Sequence, residues 1–377
     1  MQKKLIALAV AAAFSAPAFA DVTAYGVVDA AVVHVSADGQ KSDMQAVSGG
    51  LSTSRFGVKT VEDLNNGMKA VVVLEYGLDT ETNSSVGGTT TSLAANKFAA
   101  RTQMLAVAGD FGTFATGYLQ TTGYDFATKF DPTAGSSVSP LQSMTQQTNV
   151  IGSITAGSRA PRALAYISPD LGGVTVAVNY TTDLKGGLGN LTLATAAAET
   201  KETAMLMSAT YNGGPLSVGG VYAKTSNSGT ATPQDFKEYA LGGSYDLGVV
   251  KLMGTYQSNK ADAVAAAGVT NFQAKVYSFS AVAPVGPGAV VFTYAKNKTT
   301  ADGGVDVGGN GYTVAYLQGL SKLTTLYVAM EKVSNSKANW FSVDNNAVAQ
   351  VIGGATTSAL TAGGSSTLLA VGLKKTF

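Results

Sequence analysis

The sequence predicts an all-β protein whose strands close into a sixteen-stranded antiparallel transmembrane barrel. Three observations predict it. Only 13% of the 377 residues are charged while 45% are hydrophobic, against roughly 25% charged in an average soluble domain. Apolar residues recur with period two, and no stretch approaches the ~18 consecutive apolar residues of a membrane helix. Short turns and long polar stretches alternate along the chain, as in an up-and-down barrel with one rim in a confined space.

Composition narrows the function classes. With 25 Lys plus Arg against 24 Asp plus Glu, there is no basic excess to neutralise a phosphate backbone, so nucleic acid is not a partner. Cysteine is absent, which removes disulfides, thiolate metal sites and thiol nucleophiles. The single histidine, His34, lies in the first alternating segment and reads as a barrel-wall or rim side chain. No cofactor or metal site and no catalytic group is expected. The 44 Gly, 16 Tyr and 14 Phe suit many strands joined by tight turns.

Residues 1–20 read as a secretory signal peptide: Lys3 and Lys4, an apolar run from Leu5 to Phe14, then Ala18-Phe19-Ala20 as the cleavage site. Removing both lysines moves the formal charge from +1 to −1. Residues 21–377 then form one barrel domain.

Strands are expected, in order, at 22–35, 51–61, 67–78, 97–108, 112–120, 158–168, 173–182, 203–211, 215–225, 236–245, 249–258, 272–283, 288–297, 310–318, 324–334 and 366–377. The third is typical, with Ala70, Val72, Leu74 and Tyr76 on one face and Lys69, Val71, Val73 and Glu75 on the other. In the last, Leu369, Val371, Leu373 and Phe377 share a face with Lys375, which can snorkel. Seven short turns such as Gly109-Asp110-Phe111-Gly112 and Asp246-Leu247-Gly248 supply the residues that tight turns require. Eight long loops fall near 36–50, 79–96, 121–157, 183–202, 226–235, 259–271, 298–309 and 335–365. Closure would pair the Asp21 end with the Phe377 end, because no sheet edge can remain open in lipid. Tyrosines near strand ends, among them Tyr166, Tyr180, Tyr211, Tyr245 and Tyr256, would form interfacial girdles.

Several blocks carry a family resemblance: Ala24-Tyr25-Gly26-Val27-Val28-Asp29; Ser54-Arg55-Phe56-Gly57-Val58-Lys59; Val61-Glu62-Asp63-Leu64-Asn65-Asn66-Gly67; Leu74-Glu75-Tyr76-Gly77; Tyr166-Ile167-Ser168-Pro169-Asp170-Leu171-Gly172-Gly173; and the ending Val371-Gly372-Leu373-Lys374-Lys375-Thr376-Phe377. In this order they resemble the Gram-negative general diffusion porins of β-proteobacterial type, over the whole mature chain. The resemblance implies a water-filled barrel in the bacterial outer membrane, usually a homotrimer, among outer-membrane lipid and lipopolysaccharide. It implies a third loop folded inward as the constriction, and a terminal Phe377 read by the barrel assembly machinery.

Four arginines remain after residue 20: Arg55, Arg101, Arg159 and Arg162. Arg55 shares its parity with Gly57 and Lys59; Arg101 shares its parity with Gln103, opposite Thr102, Met104 and Ala106; both are expected to face the lumen. The resemblance implies a wall ladder formed by Arg55, Arg101 and Arg159. Arg162 falls with Leu164 and Tyr166, so a bulge at Pro161 or a later strand start is expected to spare it the lipid. Rim charges or salt bridges between subunits are the alternative for all four. The stretch 121–157 is long enough to enter the barrel. Its acids Asp125 and Asp131 either face the arginines across the pore or are solvated loop acids. Asp29, Lys59, Lys69, Glu75 and Lys97 are expected to line the pore.

The function expected is passive passage of small hydrophilic solutes and ions, with weak to moderate anion preference and no covalent chemistry. A substrate-selective channel of the same fold and a surface adhesin or receptor, with Trp340 and Phe341 in loop eight, are the alternatives.

Overall fold

The computed structural model describes residues 20–64, 66–81, 100–146, 159–182, 202–227, 234–264, 269–301, 305–336, 343 and 363–377. Seventeen strands run in chain order: β1 (Ala20–Ala37), β2 (Asp43–Ser48), β3 (Arg55–Asp63), β4 (Lys69–Gly77), β5 (Ala100–Gly109), β6 (Gly112–Gln120), β7 (Arg159–Ile167), β8 (Val174–Thr181), β9 (Glu202–Gly213), β10 (Leu216–Asn227), β11 (Gln234–Asp246), β12 (Lys251–Val264), β13 (Val269–Val285), β14 (Gly288–Ala301), β15 (Val305–Ser321), β16 (Thr324–Asn335) and β17 (Ser365–Thr376). Among the described residues two helices, α1 (Thr122–Phe130) and α2 (Pro140–Gln146), lie between β6 and β7.

The sheet is antiparallel throughout and closes on itself. β17 pairs with β1 from Val27 opposite Thr376 to Ala37 opposite Ser366, and backbone bonds between Gly26 and Phe377 finish the seam. Only a glycine fits at position 26, because a side chain there would occupy the space of the Phe377 ring. On its other edge β1 pairs first with β3, Ala20 opposite Glu62 to Val27 opposite Arg55, then with β2, Ala30 opposite Ser48 to Val35 opposite Asp43. β2 and β3 are therefore two pieces of one stave, and the barrel has sixteen.

Two features of the expected layout are corrected. The second stave begins at Asp43, inside the stretch expected to be loop one, and is interrupted at residues 49–54. The stretches 259–271 and 298–309, expected as loops, belong largely to β12–β15. The sequence of these strand ends mixes Lys, Asp, Asn and Thr with Ala, Val and Gly and has no consistently apolar face, so the alternation that lipid contact enforces gives no signal there. Residues 305–309, expected in loop seven, are the start of β15.

Side chains alternate as a membrane wall requires. Leu105, Leu164, Leu241, Val328 and Val371 are each more than half exposed, a continuous apolar exterior that water would not tolerate but acyl chains match. Tyrosines sit at strand ends on this face, including exposed Tyr180, Tyr211 and Tyr245. His34 has the outward parity of exposed Val32. Among the described residues no helix is long and apolar enough to cross a membrane.

Candidate functional site

The segment after β6 enters the lumen. Thr121 caps α1, its hydroxyl accepting from the Tyr124 N–H at 3.2 Å, and the Thr122 N–H donates to Asn179 Oδ1 at 2.7 Å. Phe126 and Phe130, one helical turn apart, pack on inward residues of β9–β11, namely Ala204, Leu206, Val221, Ala223 and Ala240. Gly242 and Gly219 on that wall make room for them: a Cβ at Gly242 would stand 2.8 Å from both rings, and one at Gly219 3.1 Å from Phe130. Farther on, Val138, Leu141 and Met144 join a cluster with Val291, Ala315 and Val333. Thr313 Oγ1 donates to the Val138 carbonyl at 2.7 Å, and Ser143 Oγ to Glu331 Oε1 at 2.8 Å. The loop is thus fastened across the lumen by apolar contacts and buried hydrogen bonds.

Its third attachment is the break in the second stave. The Asp29 carboxylate accepts the N–H groups of Gly50 (3.2 Å), Leu51 (3.0 Å) and Ser52 (2.8 Å) and the Tyr327 hydroxyl (2.6 Å). This turns the Gly49 and Gly50 carbonyls toward the loop, where Ser137 donates to both, Oγ and N each at 2.8 Å. The same segment holds the first arginine: Arg55 Nη1 donates to Ser52 Oγ at 2.9 Å and to the Thr53 carbonyl at 3.1 Å.

Three of the four arginines meet in one polar pocket, lined by Arg55, Glu75, Arg101 and Arg159 from the wall and Tyr124 and Thr128 from α1. Glu75 is its centre. Arg101 Nε donates to Glu75 Oε1 at 2.9 Å, while Arg55 Nε lies 3.6 Å from Oε2 and the Tyr25 hydroxyl donates to Oε2 at 3.2 Å. Arg159 Nε donates to the Arg101 carbonyl at 2.6 Å, and its guanidinium sits 5.2 Å from the Tyr124 ring centre. Gln120, which ends β6, donates to Asp125. Asp125 is exposed to the lumen, yet desolvation by the surrounding wall and loop raises its carboxyl above the ordinary range, against the opposing pull of Gln120 and Arg159.

Arg101 reaches the lumen by a different route from that expected. Its parity partner Gln103 lies with Leu105 and Val107, which are 53% and 36% exposed on the outer face. Leu74 faces Gln103, Glu75 faces Thr102, and Tyr76 faces Ala100, so Arg101 is the extra residue of a β-bulge, which turns it to Glu75. A second bulge sits at Pro161 and Arg162, between Ala160 opposite Leu119 and Ala163 opposite Gly117, with Arg162 at φ 49°. The bulge expected at Pro161 is present. Arg162 is half-buried and does not line the arginine pocket.

Two acids lie elsewhere than expected. Asp131 is fully buried in its own loop, accepting from Thr133 N (2.9 Å), Thr133 Oγ1 (2.7 Å) and Ser139 Oγ (3.2 Å); burial raises its carboxyl. It holds the loop and does not face the arginines. Asp29, equally buried, anchors the stave break and does not line the pore. Lys59 is exposed with inward parity. Lys69 pairs with Asp63 at 3.5 Å across the turn, at the rim. Lys97, residues 1–19, residues 147–157, Trp340 and Phe341 lie outside the described residues. Sequence reading missed Tyr25 as a ligand of Glu75; the signal was Gly57, where a side chain would collide with the Tyr25 ring.

A closed membrane barrel with an inward loop and a charged pocket beside it defines a channel protein. The sequence model of Gram-negative porins matches residues 7–338. The chain is 30% identical to outer membrane porin protein 32 of Delftia acidovorans, over the full length of both. It is 26% identical to an outer membrane porin protein of Bordetella pertussis, covering 87% of this chain and 93% of that one. Among solved structures it superposes on an anion-selective porin from Comamonas acidovorans with a TM-score of 0.75 at 26% identity, covering 95% of this chain and all of that one. OmpT of Vibrio cholerae in its trimer form shares the fold at 13% identity, with a TM-score of 0.64 over 95% of this chain and 98% of that one. The chain belongs to the Gram-negative porin family. It is a bacterial outer-membrane channel for small solutes, set in outer-membrane lipid.

Proposed function

We propose that the channel is a passive, water-filled pore with weak to moderate anion preference, set by Arg55, Arg101 and Arg159. The observation that carries this reading is that three guanidinium groups share one lumenal pocket with a single wall carboxylate, Glu75. Three fixed cations against one anion leave a local positive excess at the loop, whatever the near-neutral total. Asp125 on α1 tempers it, and Lys59 adds to it. The anion-selective porin of Comamonas acidovorans supports the same sign.

The mature protein begins at Asp21 after signal-peptide cleavage and is one barrel domain, constricted by residues 121–157. It performs no covalent chemistry and uses no cofactor. It assembles as a homotrimer, as OmpT of Vibrio cholerae does in its trimer form. Phe377, exposed at the seam, is the residue the barrel assembly machinery reads, and lipopolysaccharide surrounds the outer half. Liposome swelling tests the pore. With mature protein in the bilayer, an anionic solute is expected to enter faster than a neutral one of equal size and a cationic one slowest; the reverse order would overturn the proposal.

A further inference from the structure

We propose that Lys129 of the inward loop and Lys251 of β12 form a second anion station, below the arginine pocket at the short-turn mouth of the pore, that holds a small doubly charged oxyanion. The station hangs from α1. Thr128 lines the arginine pocket, whereas Lys129, the next residue, reaches the opposite way and donates from Nζ to Asn212 Oδ1 at 2.5 Å. Asn212 is the last residue but one of β9, beside the short turn to β10, and short turns mark the periplasmic rim. The last turn of α1, which carries Lys129, therefore faces that rim while Tyr124 and Thr128 face the arginines. An anion leaving the arginines meets Lys129 after about one helical turn, roughly 5–6 Å of axis.

The wall beside Lys129 offers hydroxyls and a second charge. Asn212 shares the inward parity of buried Ala204 and Leu206, and Ser217 and Ser244 follow it across the register on β10 and β11. Ser217 Oγ donates to the same Asn212 oxygen at 2.9 Å, which fixes the amide with that oxygen toward the lysine. Lys251, the first residue of β12, has the inward parity of buried Met253, Thr255 and Gln257. Desolvation first, and the Lys251 charge second, hold the Lys129 ammonium below the ordinary lysine range, as two cations sharing one end of the lumen require. The acids nearest in sequence or register are engaged elsewhere. Asp125, one turn earlier on α1, accepts from Gln120. Asp246, opposite Lys251, accepts the Gly248 N–H at 2.8 Å, and Asp170, in the turn after β7, accepts the Gly173 N–H at 2.5 Å. Among the described residues neither lysine forms an ion pair. A dianion between them offsets their repulsion, and Asn212 takes only one of the three donors of the Lys129 ammonium. Lysine is a compact point charge without the planar fork of arginine, so two ammonium groups beside serine hydroxyls suit a tetrahedral oxyanion.

The inference rests on the anion-preferring reading above and adds a second site to it. The test uses sulfate, which is doubly charged throughout the neutral range, on the mature protein. In planar bilayers, sulfate added to KCl is expected to lower the single-channel chloride conductance by occupying the station. In the Lys129→Gln/Lys251→Gln variant the half-blocking concentration should rise at least roughly fivefold, given the attraction of each unit charge at contact. Lys129→Arg/Lys251→Arg, which keeps both charges, should block like wild type. So should Lys322→Gln, on the turn between β15 and β16. Selenate, the selenium analogue of sulfate, gives the location when soaked into crystals: an anomalous peak between the two ammonium groups in wild type, absent from the glutamine variant. Equal block of wild type and glutamine variant, or selenate found only at the arginines, would overturn the station. The underlying reading fails separately. A zero-current potential favouring potassium sinks the anion preference, whereas a chloride-preferring channel whose sulfate block ignores both lysines sinks the station alone.

Discussion

Tyr327 on β16 donates its hydroxyl to Oδ1 of Asp29 on β1 at 2.6 Å, joining residues 298 apart in sequence across β17 and the barrel seam. The ring is 1% exposed and fits because Gly50 and Gly372 leave space that any side chain would fill. Asp29 in turn holds residues 50–52, which dock the inward loop through Ser137 and position Arg55 through Ser52 and Thr53. One carboxylate therefore links barrel closure, loop placement and the arginine pocket.

Removing that hydroxyl leaves a buried carboxylate one donor short. Tyr327→Phe is expected to cost about 1–3 kcal/mol, read as a lower thermal midpoint for loss of the folded barrel in detergent. Asp29→Ala should cost more and should also add open-channel noise in single-channel records, because three backbone N–H groups lose their acceptor together.

Glu75 is the one wall carboxylate among the pocket arginines. Glu75→Gln removes a negative charge within about 10 Å of the permeating ion's path. At an effective dielectric constant between protein and water this shifts the chloride-to-potassium permeability ratio upward by roughly two- to fourfold. The zero-current potential in a KCl gradient reads it, and a downward shift would show that ordering of Arg55 and Arg101 by Glu75 outweighs its charge.

Gly242 stands under both phenylalanines of α1. Gly242→Val is expected to lift the helix from the wall at a cost of about 1–3 kcal/mol of overpacking. The measurable consequence is an altered single-channel conductance, with noise from a loosened loop, in a barrel that still resists unfolding.

Asp125 is open to the lumen, but the protein around it desolvates its charged form and pushes its carboxyl above the ordinary range. As pH falls, it therefore protonates before carboxylates of ordinary affinity, and the pocket loses a negative charge while all three arginines stay charged. Anion preference should rise on acidification in a window just above the usual carboxylate range, and Asp125→Asn should abolish that step and show the higher preference at neutral pH.

The staves from β3 to β17 are legible in the sequence because lipid on one side and water on the other force alternation. Where that contrast ends, as at 259–271 and 298–309, strand continues unannounced. The arginine pocket was legible as a set of residues but not as geometry: Arg101 turns inward only through a bulge created by pairing with β4, a property of two strands at once. Asp29 and Asp131 carry inward or loop-acid signals like any pore residue. Their burial depends on the stave break and on Thr133 and Ser139, partners that no local pattern advertises.

The central claim is that Arg55, Arg101 and Arg159 set the sign of selectivity. The most direct measurement is the zero-current potential across a planar bilayer under a KCl gradient, for the mature protein and for the Arg55→Ala/Arg101→Ala/Arg159→Ala variant. A chloride-preferring wild type and a variant that still conducts but prefers neither ion, or prefers potassium, are expected. An unchanged potential in a conducting variant would contradict the claim and leave the three arginines as structural ties between wall and loop.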